Sequence, residues 1–325
     1  MSPLFITLIA GAMFIPSGIK LRSTVLNNVY ESIYYYDDVD HANRGDCSIS
    51  NTNEGKFCQV SFQLSEDVDG PLYVYYQLRK YYQNHRRYFK SISYPQLLGL
   101  RLSESDVQLA CSPLLRNGST LLNPCGLVAN SFFNDVITFD NTNTQLSMDE
   151  NKIALTIDRN DLFKQVDGFQ FREVASCDVP CAGVDLPTTC NCYYESKTNT
   201  TYRYYYPDDD TVQYLYESYP DIISPIDGVT NQHFMVWMRI SSLPTFRKLY
   251  GVIGGDDTKL QAGTILTFNI TNNFEVNSFG GSKALVLSTV GEYGGKNTFI
   301  GISFYVSGIL MMVIGSVYAA ADYFL

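Results

Sequence analysis

Histidine is scarce in this sequence, with three residues in 325, and the common hydrolase motifs are missing. None of the three (His41, His85 and His233) stands in an HExxH motif, and no GxSxG turn supplies a nucleophilic serine. The stretch GEYGGKN at 291–297 has Asn297 where a phosphate-binding loop needs Ser or Thr after its lysine. Acidic pairs are common in the Asp-rich loops, so a hydrolase using two carboxylates stays open, although nothing selects a pair.

Charged residues make up only 17% of the chain, because both ends lack them. No charged residue or histidine occurs between Met1 and Ile19, or between Phe299 and Ala321. A helix needs about 20 apolar residues to cross ~30 Å of hydrocarbon. The C-terminal run therefore predicts a membrane span, and its small residues, such as Gly308 and Gly315, would let a second helix approach closely.

The N-terminal run allows two interpretations. Ala10-Gly11-Ala12 has the form of a signal-peptide cleavage site, but no basic residue precedes the apolar region, which continues to Ile19. We therefore favour an uncleaved membrane helix. The expected organisation is a first helix at 1–21, an ectodomain at 22–296 and a second helix at 297–325. Whether a longer N-terminal tail precedes Met1 is left open.

Basic residues are outnumbered, with 23 Lys and Arg against 33 Asp and Glu, which gives a net charge of −10. An acidic surface disfavours nucleic acid. Eight cysteines and three N-glycosylation sequons, at Asn117, Asn199 and Asn269, favour a lumenal or extracellular ectodomain that carries N-linked glycans. Lys20 and Arg22 conflict mildly with this topology, because basic residues usually flank the cytosolic side of a span.

Runs rich in β-branched and aromatic residues predict strands in the ectodomain. They are LYVYYQL (72–78), KIALTI (152–157), HFMVWMRI (233–240), TILTFNI (264–270) and KALVLSTV (283–290). A helix is expected in RKYYQNHRRYFKS after Leu78, and long loops at 41–56, 176–192 and 196–212. The predicted fold is a mainly antiparallel, β-sandwich-like ectodomain with disulfide-bonded loops and little helix, flanked by two transmembrane helices.

The cysteines form three local groups. Cys47 with Cys58, and Cys111 with Cys125, are natural local disulfides, each worth roughly 3 kcal/mol in the chain-entropy model. The last group could hold zinc, but its spacing is not that of a paired CxxC site, which favours two disulfides with the pairing open. Its members are Cys177, Cys181, Cys190 and Cys192.

Two kinds of aromatic segment invite a binding interpretation. The segment at 201–220 holds seven of the 25 tyrosines, and we favour packed tyrosines over a sugar-binding platform. NHRRYFK (84–90) and TFRKLYG (245–251) combine basic and aromatic residues and would suit either solvated faces or contacts to headgroups or acidic loops. The candidate partner contacts are Arg86, Arg87, Trp237, Arg239, Arg247 and Lys248.

Four stretches, taken in order, resemble one family. They are YYQLRKYYQNHRRYFKS (75–91), NPCGLVANSFFND (123–135), FMVWMRISSLPTFRKLYG (234–251) and GGKNTFIGISFYVSG (294–308). FIPSGI (14–19) also resembles the family's end of the first span. The family is that of the Cdc-fifty/Lem-three proteins, the non-catalytic β-subunits of P4-type ATPase lipid flippases.

This resemblance implies cytosolic termini, a glycosylated lumenal or extracellular ectodomain and an obligate heterodimer with a catalytic ATPase. The partner moves phospholipid from the exoplasmic to the cytosolic leaflet, and the β-subunit serves its folding, export from the endoplasmic reticulum and activity. The chain itself has no Asp-Lys-Thr-Gly phosphorylation motif, so no catalytic residue, cofactor or metal is expected. The Cys111–Cys125 pair resembles the family disulfide that leads into NPCG, whereas the 177–192 cluster is outside the pattern.

The main alternative is a stand-alone glycan- or ligand-binding membrane receptor that uses the tyrosine-rich segment. The sequence names neither the ATPase nor the lipid, and it does not choose among endoplasmic reticulum, Golgi, endosome and plasma membrane.

Overall fold

A computed structural model describes residues 3–40, 47–49, 55–140, 142, 146–208 and 210–324. The helices among them are α1 (Pro3–Asn28), α2 (Arg86–Phe89), α3 (Tyr94–Leu97), α4 (Glu104–Cys111), α5 (Leu215–Ser218), α6 (Gln232–Met238) and α7 (Phe299–Phe324). The strands are β1 (Glu31–Asp38), β2 (Lys56–Gln63), β3 (Val68–Asp69), β4 (Leu72–Arg79), β5 (Arg116–Asn117), β6 (Thr120–Asn123), β7 (Val136–Asp140), β8 (Met148–Asp149), β9 (Gln170–Val174), β10 (Asn191–Glu195), β11 (Thr200–Tyr205), β12 (Val212–Tyr214), β13 (Phe246–Ile253), β14 (Lys259–Leu260), β15 (Ile265–Asn272) and β16 (Ser282–Ser288).

The two long terminal helices, α1 and α7, are the membrane spans. Only 11% and 17% of the residues in their apolar stretches are buried, so their surfaces are not enclosed in a protein core. They pack antiparallel on each other through glycines. A Cβ on Gly18 would lie 2.5 Å from the Tyr305 backbone N, and one on Gly308 would lie 2.9 Å from the Ile15 backbone N. The helices can therefore approach this closely only without side chains at these positions.

The larger sheet of the ectodomain is antiparallel, in the order β1-β16-β4-β13-β8. Glu31, three residues beyond the end of α1, pairs with Ser288, and Ser288 pairs with Tyr73 of β4. This row marks the end of the sheet at which the chain leaves the first span. The opposite end carries Arg79, which pairs with Ser282.

A second antiparallel sheet, in the order β2-β15-β7, faces the same core. Its residues Phe62 and Phe268 belong to one buried cluster with Tyr76 and Leu285 of the larger sheet. The two sheets enclose this cluster as the layers of a sandwich do. The predicted fold class, a mainly antiparallel ectodomain between two apolar helices, is confirmed.

Three of the five predicted strands are confirmed, at 72–78, 264–270 and 283–290. The strand predicted over 233–240 is wrong, because residues 233–238 belong to helix α6. Asn231 caps the helix by accepting the Phe234 N–H at 3.1 Å, and the helix is wedged into the core with Phe234 and Trp237 fully buried. A helix buried on several faces is apolar nearly all round, and its sequence then resembles that of a buried strand.

The strand predicted over 152–157 is also wrong. This segment is held against the first residue of α6 and does not join a sheet. Gln232 accepts the Ala154 N–H at 3.3 Å and donates to the Asn151 carbonyl. A short π-helix at Asp158–Leu162 follows it. In the segment after Leu78, where a helix was expected, only the single turn of α2 is helical.

All eight cysteines form disulfides. The pairs are Cys47–Cys58, Cys111–Cys125, Cys177–Cys192 and Cys181–Cys190. The last two leave no thiolate for zinc in the cluster at 177–192 and attach its loop to β10. The predicted loop at 176–192 runs into β10, and that at 196–212 contains β11 and reaches the start of β12, whereas much of 41–56 lies outside the described residues.

Candidate partner-binding surface

Trp237, one of the six predicted partner contacts, lies in the core and has no exposed surface. Its indole N–H donates to the Val128 carbonyl at 2.8 Å, and its ring packs against Tyr81, Phe246 and Phe274. The prediction that Trp237 contacts a partner directly is therefore wrong: the side chain is a structural anchor for α6.

Lys248 is also unsuited to a partner, because it is 7% exposed and caps α6 from within. Its Nζ donates to the carbonyls of Val236 at 3.1 Å, Trp237 at 3.3 Å and Arg239. These are the carbonyls that a helix C-terminus leaves without intrahelical partners. Burial, with a smaller contribution from Arg239, lowers the pKa of Lys248 to about 7.

Arg239 and Arg247 are partly exposed, but both have partners within the chain. Arg239 donates twice to Asp158, at 2.6 and 2.8 Å, and this bond raises the pKa of Arg239. Arg247 donates to Glu31 at 2.5 Å and to Gln77 at 2.9 Å. Both arginines border an open groove of about 380 Å³ beside β13. Their guanidinium groups therefore already form hydrogen bonds within the chain.

Arg86 and Arg87 differ from the other four. They are exposed on the single turn of α2, next to His85 and Lys90. Among the described residues no side-chain hydrogen bond or ion pair engages either arginine. Of the six predicted contacts, these two are the ones whose charge faces solvent unpaired within the described part of the chain.

A buried ion network, which the sequence reasoning missed, links the two sheets. Lys283 Nζ lies 2.8 Å from Asp135 Oδ2 and 3.8 Å from Asp37 Oδ2, with all three side chains at most 1% exposed. Asp135 also accepts the Tyr36 hydroxyl at 2.7 Å and the backbone N–H of Phe274 at 2.6 Å. The sequence sign of this network was Lys283 itself, a charged residue at the start of the apolar run at 283–290.

Lys283 is an ammonium in this network, because its neighbours are all acceptors. Nζ donates to the Asn272 side-chain oxygen and the Phe274 carbonyl as well as to Asp135. Three acceptors match the three hydrogens of a charged lysine. Burial lowers the pKa of Lys283 and raises that of Asp37, and the nearby opposite charges oppose both shifts.

The three sequons occupy different settings on the surface. Asn117 is the exposed last residue of β5, and Asn199 lies exposed between β10 and β11. Asn269 is half-buried in the middle of β15, where its Oδ1 accepts from Gln59 at 3.0 Å. Their glycosylation stays a prediction.

The tyrosine-rich segment is largely packed. Tyr204, Tyr206 and Tyr214 are at most 7% exposed and form a separate core cluster with Val166. These three rings offer no open platform to a sugar. The residues that the structure describes include no group of three or more His, Cys, Asp or Glu side chains that could hold a metal.

Comparison with known proteins decides the family. The model of the LEM3 (ligand-effect modulator 3) family / CDC50 family matches residues 23–324. The chain belongs to this family. It is 32% identical over 319 residues to mouse (Mus musculus) Cell cycle control protein 50A, covering 95% of this chain and 80% of that protein. It is also 32% identical to Putative ALA-interacting subunit 2 of Arabidopsis thaliana over 324 residues, covering 98% and 80%. A third relative, human (Homo sapiens) Cell cycle control protein 50B, is 32% identical over 331 residues, with 97% and 85% covered. The resemblance identified from the four sequence motifs is thus confirmed over nearly the whole CDC50 family chain.

Proposed function

We propose that this CDC50 family chain is the accessory subunit of a P4-type ATPase that moves phospholipid from the exoplasmic to the cytosolic leaflet. The observation that carries the proposal is the family match over residues 23–324, together with relatives named ALA-interacting subunits. Such a name describes a protein that works by binding another. In this assignment the ATPase performs the chemistry, and the present chain supports its folding, export from the endoplasmic reticulum and activity.

The architecture suits a role beside a larger membrane protein. The two spans pack on each other, so they would dock as one unit, and one large buried cluster joins the two main sheets of the ectodomain. The buried lysines Lys283 and Lys248 are bonded to groups within the chain. The outer faces of the spans and of the ectodomain are therefore the parts of the chain that can contact another protein, as an accessory subunit requires.

The ectodomain is assigned to the lumenal or extracellular side, with both helix termini at the cytosolic side. Four disulfides support this orientation, because they persist in oxidising compartments. Single substitutions Asn117→Gln, Asn199→Gln and Asn269→Gln test it. Loss of one glycan-dependent step in gel mobility from at least one variant is expected, whereas a chain without any glycan would contradict the orientation.

Coexpression tests the subunit assignment. The full chain is produced alone or with individual P4-type ATPases, and export is followed by the resistance of its glycans to endoglycosidase H. We expect retention of the chain expressed alone, with export and detergent-stable copurification restored by a cognate ATPase. Efficient export in cells that lack every P4-type ATPase would instead support the stand-alone receptor and overturn the proposal.

A further inference from the structure

A basic and aromatic surface surrounds the single turn of α2 and is exposed on the ectodomain. We call it the α2 patch and define it by His85, Arg86, Arg87 and Lys90 together with Tyr82, Phe89 and Leu243. Its large apolar side chains are well exposed: Tyr82 by 58%, Phe89 by 38% and Leu243 by 65%. Leu243 joins the patch because Asn84 donates to the Ser242 carbonyl at 2.9 Å, and Tyr81 N–H donates to the Pro244 carbonyl at 3.0 Å.

The patch is positive although the protein is strongly acidic. Residues 70–103 contain six of the 23 Lys and Arg residues and none of the 33 Asp and Glu. Three of the six are engaged within the chain: Lys80 with Asp40, Arg101 with Asp208, and Arg79 over the ring of Tyr35. Arg86, Arg87 and Lys90 have no such partner among the described residues. The charge of the α2 patch is therefore available to an outside ligand.

The position of the patch disfavours lipid headgroups of the membrane that the chain spans. The paired residues Ser288 and Tyr73 lie at the end of the sheet next to the first span, where β1 starts. The paired residues Ser282 and Arg79 lie six residues further along the strands, at the opposite end. Six residues correspond to about 20 Å, which exceeds the Debye length of about 8 Å at physiological salt. Helix α2 follows this far end of β4.

The composition of the patch matches a protein interface. Arginine and aromatic residues dominate the energetic centres of such interfaces, and guanidinium groups bind carboxylates in a bidentate manner. We infer that the α2 patch binds an acidic exoplasmic segment of the catalytic subunit, one that extends about 20 Å from the end of the sheet next to the spans. The inference rests on the proposed function and adds where, and through which charges, the two subunits meet.

A charge-neutralising double variant tests the inference in the assembled complex. Arg86→Gln/Arg87→Gln in the full chain should make the copurified complex dissociate about tenfold faster at 0.1 M NaCl, or about 1.4 kcal/mol. The difference should shrink at 0.5 M NaCl, because salt screens exposed charges. The control Arg172→Gln/Lys197→Gln removes the same charge from exposed positions near β9 and β10 and should dissociate like wild type. Unchanged Trp237 emission of each variant chain, purified without the ATPase, verifies that the variant is folded.

The possible failures can be told apart. If wild-type chain binds no P4-type ATPase, the proposed function is wrong. If the complex forms but both double variants dissociate at the wild-type rate, the proposed function stands and the α2 patch inference is overturned.

A photo-crosslinker identifies the occupant directly. Benzoylphenylalanine in place of Phe89 should crosslink, in the membrane-embedded complex, to an acidic exoplasmic segment of the catalytic subunit. Adducts found only on lipid, or only on a different protein, would overturn the assignment.

Discussion

Replacing Lys283 with methionine removes the cation that neutralises two carboxylates in the core. Methionine keeps most of the stem volume, so the change is mainly electrostatic. Asp135 and Asp37 would remain at most 2% exposed, 2.8 and 3.8 Å from where the ammonium was. Breaking a buried ion pair by removing one partner typically costs about 3–5 kcal/mol, because an uncompensated charge is left in a low-dielectric site.

The cost falls within that range for two opposing reasons. Asp135 keeps the Tyr36 hydroxyl and the N–H groups of Asn273 and Phe274, which continue to stabilise its charge. Among the described residues, Asp37 keeps only its bonds to Asn272 and, at 3.5 Å, Ile49, and none of them donates to its second oxygen. A loss of about 3–5 kcal/mol is a large part of the roughly 5–15 kcal/mol that stabilises a typical domain.

The assay uses the single tryptophan of the chain. Trp237 is fully buried, so its emission reports exposure of the core during guanidinium unfolding of the full chain in detergent. Lys80→Met is the matched control, since Lys80 pairs with Asp40 at the surface and its loss should cost less than about 1 kcal/mol. The double variant Lys283→Met/Asp135→Asn should lose less than the sum of the single losses. A Lys283→Met loss no larger than that of Lys80→Met would refute the reasoning.

Three further predictions concern α6, the spans and a disulfide. The pKa of Lys248 is about 7 in the fold and 10.5 ordinarily, so the unfolded chain binds the extra proton between these values. Stability should then rise with pH from about 7 to 10.5, and Lys248→Met should flatten this rise in guanidinium titrations. Gly18→Val should force α1 and α7 apart and lower the melting temperature, whereas Ala12→Val, on the exposed face of α1, should not. Cys111→Ser should reduce export more than Cys181→Ser, measured by glycan maturation, because Cys111 is fully buried in a second core cluster; equal export would contradict this.

The sequence predicts the parts of the fold in which pattern and environment agree. The apolar runs at both ends and the strands at 72–78, 264–270 and 283–290 have the lengths and residue types that their positions require. The segment at 233–240 fails because a seven-residue helix in the core needs no polar face. The N-cap Asn231 was the local sign of a helix, and it is visible only if a helix is considered first.

The candidate surface was less predictable, since charge in a sequence does not reveal its partner. Arg239, Arg247 and Lys248 resemble Arg86 and Arg87 in sequence, but Arg239 and Arg247 pair with the distant Asp158 and Glu31, and Lys248 donates to carbonyls of the nearby helix α6. Long-range pairing of this kind depends on the tertiary fold. The buried network of Lys283 was missed for the same reason, because Asp37 and Asp135 are distant in sequence.

The motifs that identify the family meet in one region of the core. Tyr81, from the first motif, packs its ring against Trp237 of the third, and the Trp237 indole donates to Val128 of the second. Tyr88 hydrogen-bonds Ser131 at 2.8 Å, which ties the first motif to the second again. Three separate sequence signatures thus encode one packed junction, so their specificity is explained by folding without any catalysis. Arg86 and Arg87 are the exception within these motifs, because they point away from the junction and no described residue pairs with them. Since Arg86 and Arg87 take no part in this junction, we expect their role to lie in binding the catalytic subunit.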